Sequence, residues 1–112
     1  MEIQSYHQDQ VDIISIRGSI DVITAAELTD FFKKEISNGH TRLVMDLSGV
    51  DFMSSAGLRA ILVVLKESRQ QGGDLRLCSA QTSVERVLKM AGFPSILKMF
   101  PSRDKAVVSY QA

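Results

Sequence analysis

Between Asp46 and Leu62 the chain reads Asp-Leu-Ser-Gly-Val-Asp-Phe-Met-Ser-Ser-Ala-Gly-Leu-Arg-Ala-Ile-Leu. An apolar run passes through two adjacent hydroxyls straight into an amphipathic stretch. That is the pattern of a strand, a connection and a helix, and it puts Ser54 and Ser55 at the helix N-terminus. The first backbone N–H groups there lack partners inside the helix, and the macrodipole adds partial positive charge. A serine at that position caps the helix, and a phosphate attached to it is electrostatically favoured.

The flanking segments extend the pattern. Glu2 to His7 and Val11 to Arg17 read as two strands joined by a turn at Gln8-Asp9-Gln10. Gly18 is expected to break the second strand. Thr24, with Glu27 three residues on, has the form of a capping box, and a helix is expected from there to about Asn38-Gly39, with Leu28, Phe31, Phe32 and Ile36 on its apolar stripe. Arg42 to Leu47 is a short apolar run suited to a strand buried on both faces, and hence central in a sheet. Ser48 to Met53 then connects to a helix from Ser55 to about Gln71, carrying Leu58, Ile61, Leu62 and Leu65 on one face and stopped by Gly72-Gly73. Leu75 to Ser79 gives a further strand. A third helix capped by Thr82 or Ser83 carries Val84, Val87, Leu88 and Ala91, with Gly92 and Pro94 ending it, and Ser102 to Tyr110 forms a last short helix.

Two strands followed by alternating helices and strands describe a single α/β domain. A mixed, mostly parallel β-sheet of four to five strands carries about four helices packed on the sheet face by right-handed crossovers. Reactive groups in such folds collect beyond the carboxyl ends of the strands, where the Asp46-to-Ser55 connection lies. The 112 residues, 45% of them hydrophobic, suffice for one core and leave no room for a second domain, so residues 1–112 are read as one unit.

Charge and composition exclude several functions. Thirteen basic residues balance thirteen acidic ones, and no run of like charge exceeds Lys33-Lys34, so neither nucleic acid nor an anionic membrane is attracted. A lone Cys78 and two unclustered histidines offer no tetrahedral metal site, and no metal or cofactor is expected. The longest apolar run, Ala60 to Leu65, is too short to span a bilayer, and the N-terminus lacks a signal pattern. A cytoplasmic location is the expectation. A hydrolase with Ser55 as nucleophile is disfavoured, because Met53 stands where a nucleophile elbow needs glycine and no histidine is well placed. Nothing resembles a phosphate-binding Gly-x-x-x-x-Gly-Lys loop either.

Single residues have plain readings, Asp21 among them as a turn residue able to cap the approaching first helix. Asp46, at a strand end, is expected to accept hydrogen bonds from nearby backbone N–H groups. Met45, Met53, Met90 and Met99 read as core fillers, although an exposed Met53 suits an adaptable binding surface. Cys78 reads as a small buried hydrophobe, and His7, His40, Lys89 and Lys98 as solvated surface.

Three segments carry a resemblance: Gly18-Ser19-Ile20-Asp21 leading to Thr24-Ala25, Leu43-Val44-Met45-Asp46-Leu47-Ser48, and Phe52-Met53-Ser54-Ser55-Ala56-Gly57-Leu58. In order and spacing they resemble the STAS domain, and within it the free-standing anti-sigma factor antagonists of bacterial partner switching. The resemblance implies a protein that does no chemistry itself. Unphosphorylated, it binds a partner that is both anti-sigma factor and serine kinase; phosphorylation at the start of the second helix releases it, and a serine phosphatase resets it. Ser55 is the implied acceptor and Ser54 the second choice. The implied contact surface comprises Asp21, Thr24, Met53, Ser54, Ser55, Ala56, Gly57, Leu58 and Arg59. The commoner family pattern is Asp-Ser-Ser/Thr-Gly, so Ser54 replaces its Asp and Ala56 the hydroxyl beside the glycine. An unphosphorylated STAS scaffold subunit of a transporter or signalling assembly is the alternative.

A switch at this place also has a physical basis. A phosphoserine brings about −1.5 to −2 charges and three acceptor oxygens. Arg59, four residues after Ser55, shares its helix face and is available for pairing. The modified protein therefore keeps its fold, while a partner seated on apolar groups at the same corner meets a dianion.

Overall fold

The structure is a computed structural model and describes residues 1–111. It begins with a hairpin: β1 (Glu2–Gln8) and β2 (Val11–Ile20) pair antiparallel from Glu2 opposite Arg17 to Gln8 opposite Val11. Asp9 and Gln10, at φ 52° and 66°, form the two-residue turn, whose left-handed backbone matches the twist of the strands. Helix α1 (Val22–Ser37) crosses to β3 (Arg42–Met53), α2 (Ser55–Gln70) to β4 (Asp74–Cys78), and α3 (Thr82–Met90) with a 3₁₀ turn at Phe93–Ser95 to the short β5 (Met99–Phe100). A final helix, α4 (Arg103–Val108), follows. The sheet order is β1-β2-β3-β4-β5, with every pair after the first parallel. The single mixed sheet with four helices is the fold expected from the alternation of patterns.

Both faces of the sheet are covered, for which reason β2 and β3 read as nearly continuous apolar runs. On one face Ile14, Ile16, Leu43, Met45 and Leu47 meet Leu28 and Phe32 of α1, Ile61 and Val64 of α2, and Val84 and Leu88 of α3. On the other, Val11, Ile13, Val44 and Cys78 meet Ala106 and Val107 of α4. Every one of these side chains is at most 1% exposed. At roughly 1.5–3 kcal/mol for each large aliphatic or aromatic group, this burial is the main term holding the layers together.

Several boundaries depart from the sequence expectations. Gly18 does not end β2: at φ 111° it sits in an irregular stretch of the β2–β3 ladder, and the strand continues to Ile20. The segment Ser48 to Met53 is not a loop but the second half of β3, paired Arg17 to Gly49, Gly18 to Val50, Ser19 to Phe52 and Ile20 to Met53. Helix α1 is capped by Asp21, three residues before Thr24, and α3 is preceded by Gln81, whose side chain makes no capping bond, rather than capped by Thr82 or Ser83. On α2 the core face is Ala60, Ile61, Val64 and Leu65, whereas Leu62 is 40% exposed and Leu58 half-buried. Met90 is 82% exposed and fills no core, unlike Met45. His40 is not simply solvated: its Nδ1 hydrogen-bonds the Glu35 carboxylate, and that bond raises its pKa. His7, more exposed, pairs with Asp12 at 3.0 Å. Lys89 is tied to Glu85 at 2.6 Å.

Candidate functional site

The long arms of β2 and β3 carry their chain ends past the rest of the sheet and deliver α1 and α2 side by side. One hydrogen bond ties the two corners, from the Ser54 N–H to the Ile20 carbonyl at 2.8 Å. Beside it Ser19 Oγ donates to Asp51 Oδ1 at 2.9 Å. The strands thus hold two helix N-termini at one edge.

The start of α1 is closed by a reciprocal capping box. Asp21 Oδ1 accepts from the Ile23 and Thr24 N–H groups, both at 3.0 Å, while Thr24 Oγ1 accepts from the Asp21 N–H at 2.8 Å and donates to the Ser19 carbonyl at 2.9 Å. The Thr24 backbone and hydroxyl bonds stabilise the ionised carboxyl and lower the Asp21 pKa. Asp21 is therefore the cap, as its turn position allowed, and Thr24, expected as the cap, is the third helical residue.

The start of α2 is looser. Ser54 is its cap, with Oγ accepting from the Gly57 N–H at a long 3.3 Å, and its carbonyl takes the Leu58 N–H at 3.1 Å. Ser55 follows as the first helical residue, exposed, with its hydroxyl engaging no partner among the described residues. Gly57 is buried and leaves no room for a side chain: a Cβ there would stand 2.8 Å from both Ile20 Cγ2 and Met53 Cγ. That close approach sets how deeply the α2 corner seats against β2.

Of the remaining predicted contact residues, Arg59 is exposed and Ala56 and Leu58 are half-buried. Met53 is a correction. It is 4% exposed and lies in the core beneath Gly57, so it offers no surface. Phe52, next to it and pointing the other way, is 54% exposed, and Val22 and Ile23 at the start of α1 are 73% and 74% exposed. These three apolar side chains at the two-helix edge escaped the sequence reading. Strand alternation opposite the buried Met53 signals Phe52, and the position of Val22-Ile23 directly after a capping Asp signals a first helical turn.

Asp46 lies lower on β3 and away from this corner. It accepts from the Ser48 N–H at 2.9 Å, as its strand-end position suggested, and also from Arg103 of α4 at 2.8 Å. Burial works against its charge, but the Ser48 and Arg103 bonds outweigh it and keep the carboxyl below its ordinary pKa. Cys78 is 1% exposed, and burial pushes its thiol up to about 11, which makes it a packing residue and not a nucleophile. Among the described residues no three His, Cys, Asp or Glu side chains are grouped to hold a metal, and no helix is long and apolar enough to cross a membrane.

The STAS domain family model matches residues 2–106. The chain belongs to the STAS domain family. Among its relatives, BtrV of Bordetella bronchiseptica is 34% identical over 106 residues, covering 92% of this chain and 91% of its own; that protein is provisionally named an anti-sigma factor antagonist. The STAS fold is repeated in the crystal structure of an anti-sigma factor antagonist from Mycobacterium paratuberculosis, with a TM-score of 0.90, 23% identity and coverage of 99% and 94% of the two chains. The phosphorylated form of the Bacillus cell fate determinant SpoIIAA also superposes, with a TM-score of 0.76, 17% identity and coverage of 98% and 100%. The last two likenesses concern the fold.

Proposed function

We propose that this STAS protein is an anti-sigma factor antagonist that works as a phosphorylation-controlled binding switch. Unphosphorylated, it docks the α1–α2 corner on an anti-sigma factor that is also a serine kinase and so frees what that partner holds. Phosphorylation of Ser55 ends the complex, and a phosphatase restores it. The protein is then the substrate of the cycle and not its catalyst.

The observation that carries this reading is the contrast between the two serines. Ser54 is half-buried and spends its oxygen on the Gly57 N–H, whereas Ser55 is exposed with a free hydroxyl on the first turn of α2. A phosphate on Ser55 meets the open helix N-terminus and, one turn on, the exposed Arg59, so the fold tolerates it. A partner seated on Phe52, Val22 and Ile23 meets a new dianion that must be desolvated. Each 1.4 kcal/mol of that penalty weakens the complex about tenfold.

The first test is intact-mass spectrometry of the protein from its native cells, with fragmentation across Asp46 to Arg69. One phosphate on Ser55 supports the switch, and one on Ser54 moves the acceptor. No phosphate under any growth condition favours the unmodified scaffold subunit, the reading to which Ala56, in place of the family's second hydroxyl, also points. With the cognate kinase in hand, Ser55→Ala binds constitutively and Ser55→Asp loses at least about a hundredfold in affinity, measured by calorimetry. Full affinity in Ser55→Asp would refute the mechanism.

A further inference from the structure

Strand β1 is the edge of the sheet, and nothing among the described residues covers its outer side: apart from Ile3, every residue from Glu2 to Gln8 is exposed. Sheet edges of this length are ordinarily blunted by proline, lysine, a bulge or a covering loop. Strand β1 has none of these. Its ladder with β2 runs without a shift from Glu2 to Gln8, and its one formal charge, Glu2, lies at the end. The opposite edge, β5, is only two residues long and is thereby protected.

The hairpin decides which backbone groups face outward. The two-residue turn at Asp9-Gln10 closes on the pair Gln8–Val11, so Gln8, Tyr6 and Gln4 exchange hydrogen bonds with β2. The N–H and C=O groups of the alternate residues, Ile3, Ser5 and His7, therefore point away from the sheet. We infer that these free groups pair with β1 of a second copy of this chain, antiparallel about a two-fold axis through Ser5.

The sequence of β1 is self-complementary in that register. Ser5 faces Ser5 of the second copy, Ile3 faces His7, Gln4 faces Tyr6 and Glu2 faces Gln8, so no like charges meet and all seven residues are used. The three outward-facing pairs supply about six interchain hydrogen bonds. The helices allow the approach. With about 4.8 Å between neighbouring strands, the two β2 strands stand roughly 14 Å apart, which leaves room for an α1 over each at the usual 8–10 Å helix spacing. The two five-stranded sheets join into one, and because the central strands of the two copies then run oppositely, their Ser55 corners lie at opposite rims, both open to partners. An interface of one strand edge is small, so the dimer is weak and depends on concentration.

The test is sedimentation equilibrium across micromolar to millimolar protein, together with amide hydrogen exchange read by NMR. The mass should rise from 12.4 kDa toward twice that value. Protection should grow with concentration at Ile3, Ser5 and His7 while Gln4 and Tyr6 stay protected throughout. Ser5→Pro removes an N–H that β2 does not use, so the variant keeps its Tm within a few degrees and its Ser55 corner intact but weakens association at least about tenfold. A chain that stays monomeric at millimolar concentration overturns the inference. So does a dimer that Ser5→Pro leaves unchanged, or one whose new protection falls on Leu62, Lys66 and Gln70 of α2. None of these outcomes bears on whether Ser55 is phosphorylated.

Discussion

Helices α1 and α2 start at the same edge of the sheet, yet their N-termini are built differently. Helix α1 already holds an anion: Asp21 satisfies two N–H groups at 3.0 Å, and Thr24 closes the box from the other side. Helix α2 is capped by a neutral serine through one 3.3 Å bond, and its next residue, Ser55, is exposed. The positive ends of two parallel dipoles therefore lie side by side, one neutralised and the other left open. An added negative charge has a place to go at α2 and not at α1. The proposed phosphorylation of Ser55 would use that open terminus, where the added charge meets N–H groups that no carboxylate has neutralised.

The comparison can be broken most forcefully at Gly57. In Gly57→Ala the new methyl collides with Ile20 and Met53 at 2.8 Å, which should cost about 1–3 kcal/mol in urea unfolding and lift the α2 corner off the ends of β2 and β3. An unchanged midpoint would mean that the two corners are not locked together. A smaller effect is expected from the caps themselves. Ser54→Ala should cost about 0.5 kcal/mol, at the low end for cap removal because its bond is long, and Asp21→Ala should lower Tm more.

The dipole argument is sharpened by adding charge at matched positions. Ser55→Asp should stabilise the fold by about 0.3–1 kcal/mol, whereas Val22→Asp, also at a first helical position but beside Asp21, should gain less. Equal gains would show that α1 is not saturated. The smallest effect is the pH dependence. Because the Asp21 pKa is lowered on folding, its contribution is complete above the unfolded value of about 3.9 and is lost as pH falls through the folded value. Asp21→Asn should flatten the acid limb of Tm against pH, and Ser54→Ala should not.

Much of this was legible in the chain. The strand-hydroxyl-helix run placed Ser54 and Ser55 within a residue of where they lie, since capping and amphipathicity are local properties. The Ser/Thr-x-x-Glu pattern pointed to Thr24 and Glu27 as the start of α1, while Asp21 was also legible as a residue able to cap that helix; the structure makes Asp21 the cap and Thr24 its reciprocal partner three residues on. The extension of β3 was hidden because Ser48, Gly49 and Asp51 are turn residues, and only pairing with the outer half of β2, across an irregular ladder, keeps them extended. Met53 is the core filler its residue type suggested and not part of the contact surface, and the exposure of Phe52 went unread for the same reason: a strand alternates faces, and without knowing that the segment is a strand its buried side cannot be assigned. The apolar rim of Val22, Ile23 and Phe52 was missed with it.

By itself the sequence determined the α/β alternation, the parallel core strands and the hydroxyl pair at a helix start, because hydrophobic period, caps and turn residues act within a few positions of the chain. Tertiary structure alone decided which serine is free, which side of Phe52-Met53 faces water and which helix terminus is left open. Those depend on distances between segments far apart in sequence: Ile20 against Ser54 and Gly57, and Ser19 against Asp51. Such distances are set when β2 and β3 pair and their helices pack, and no local pattern encodes them.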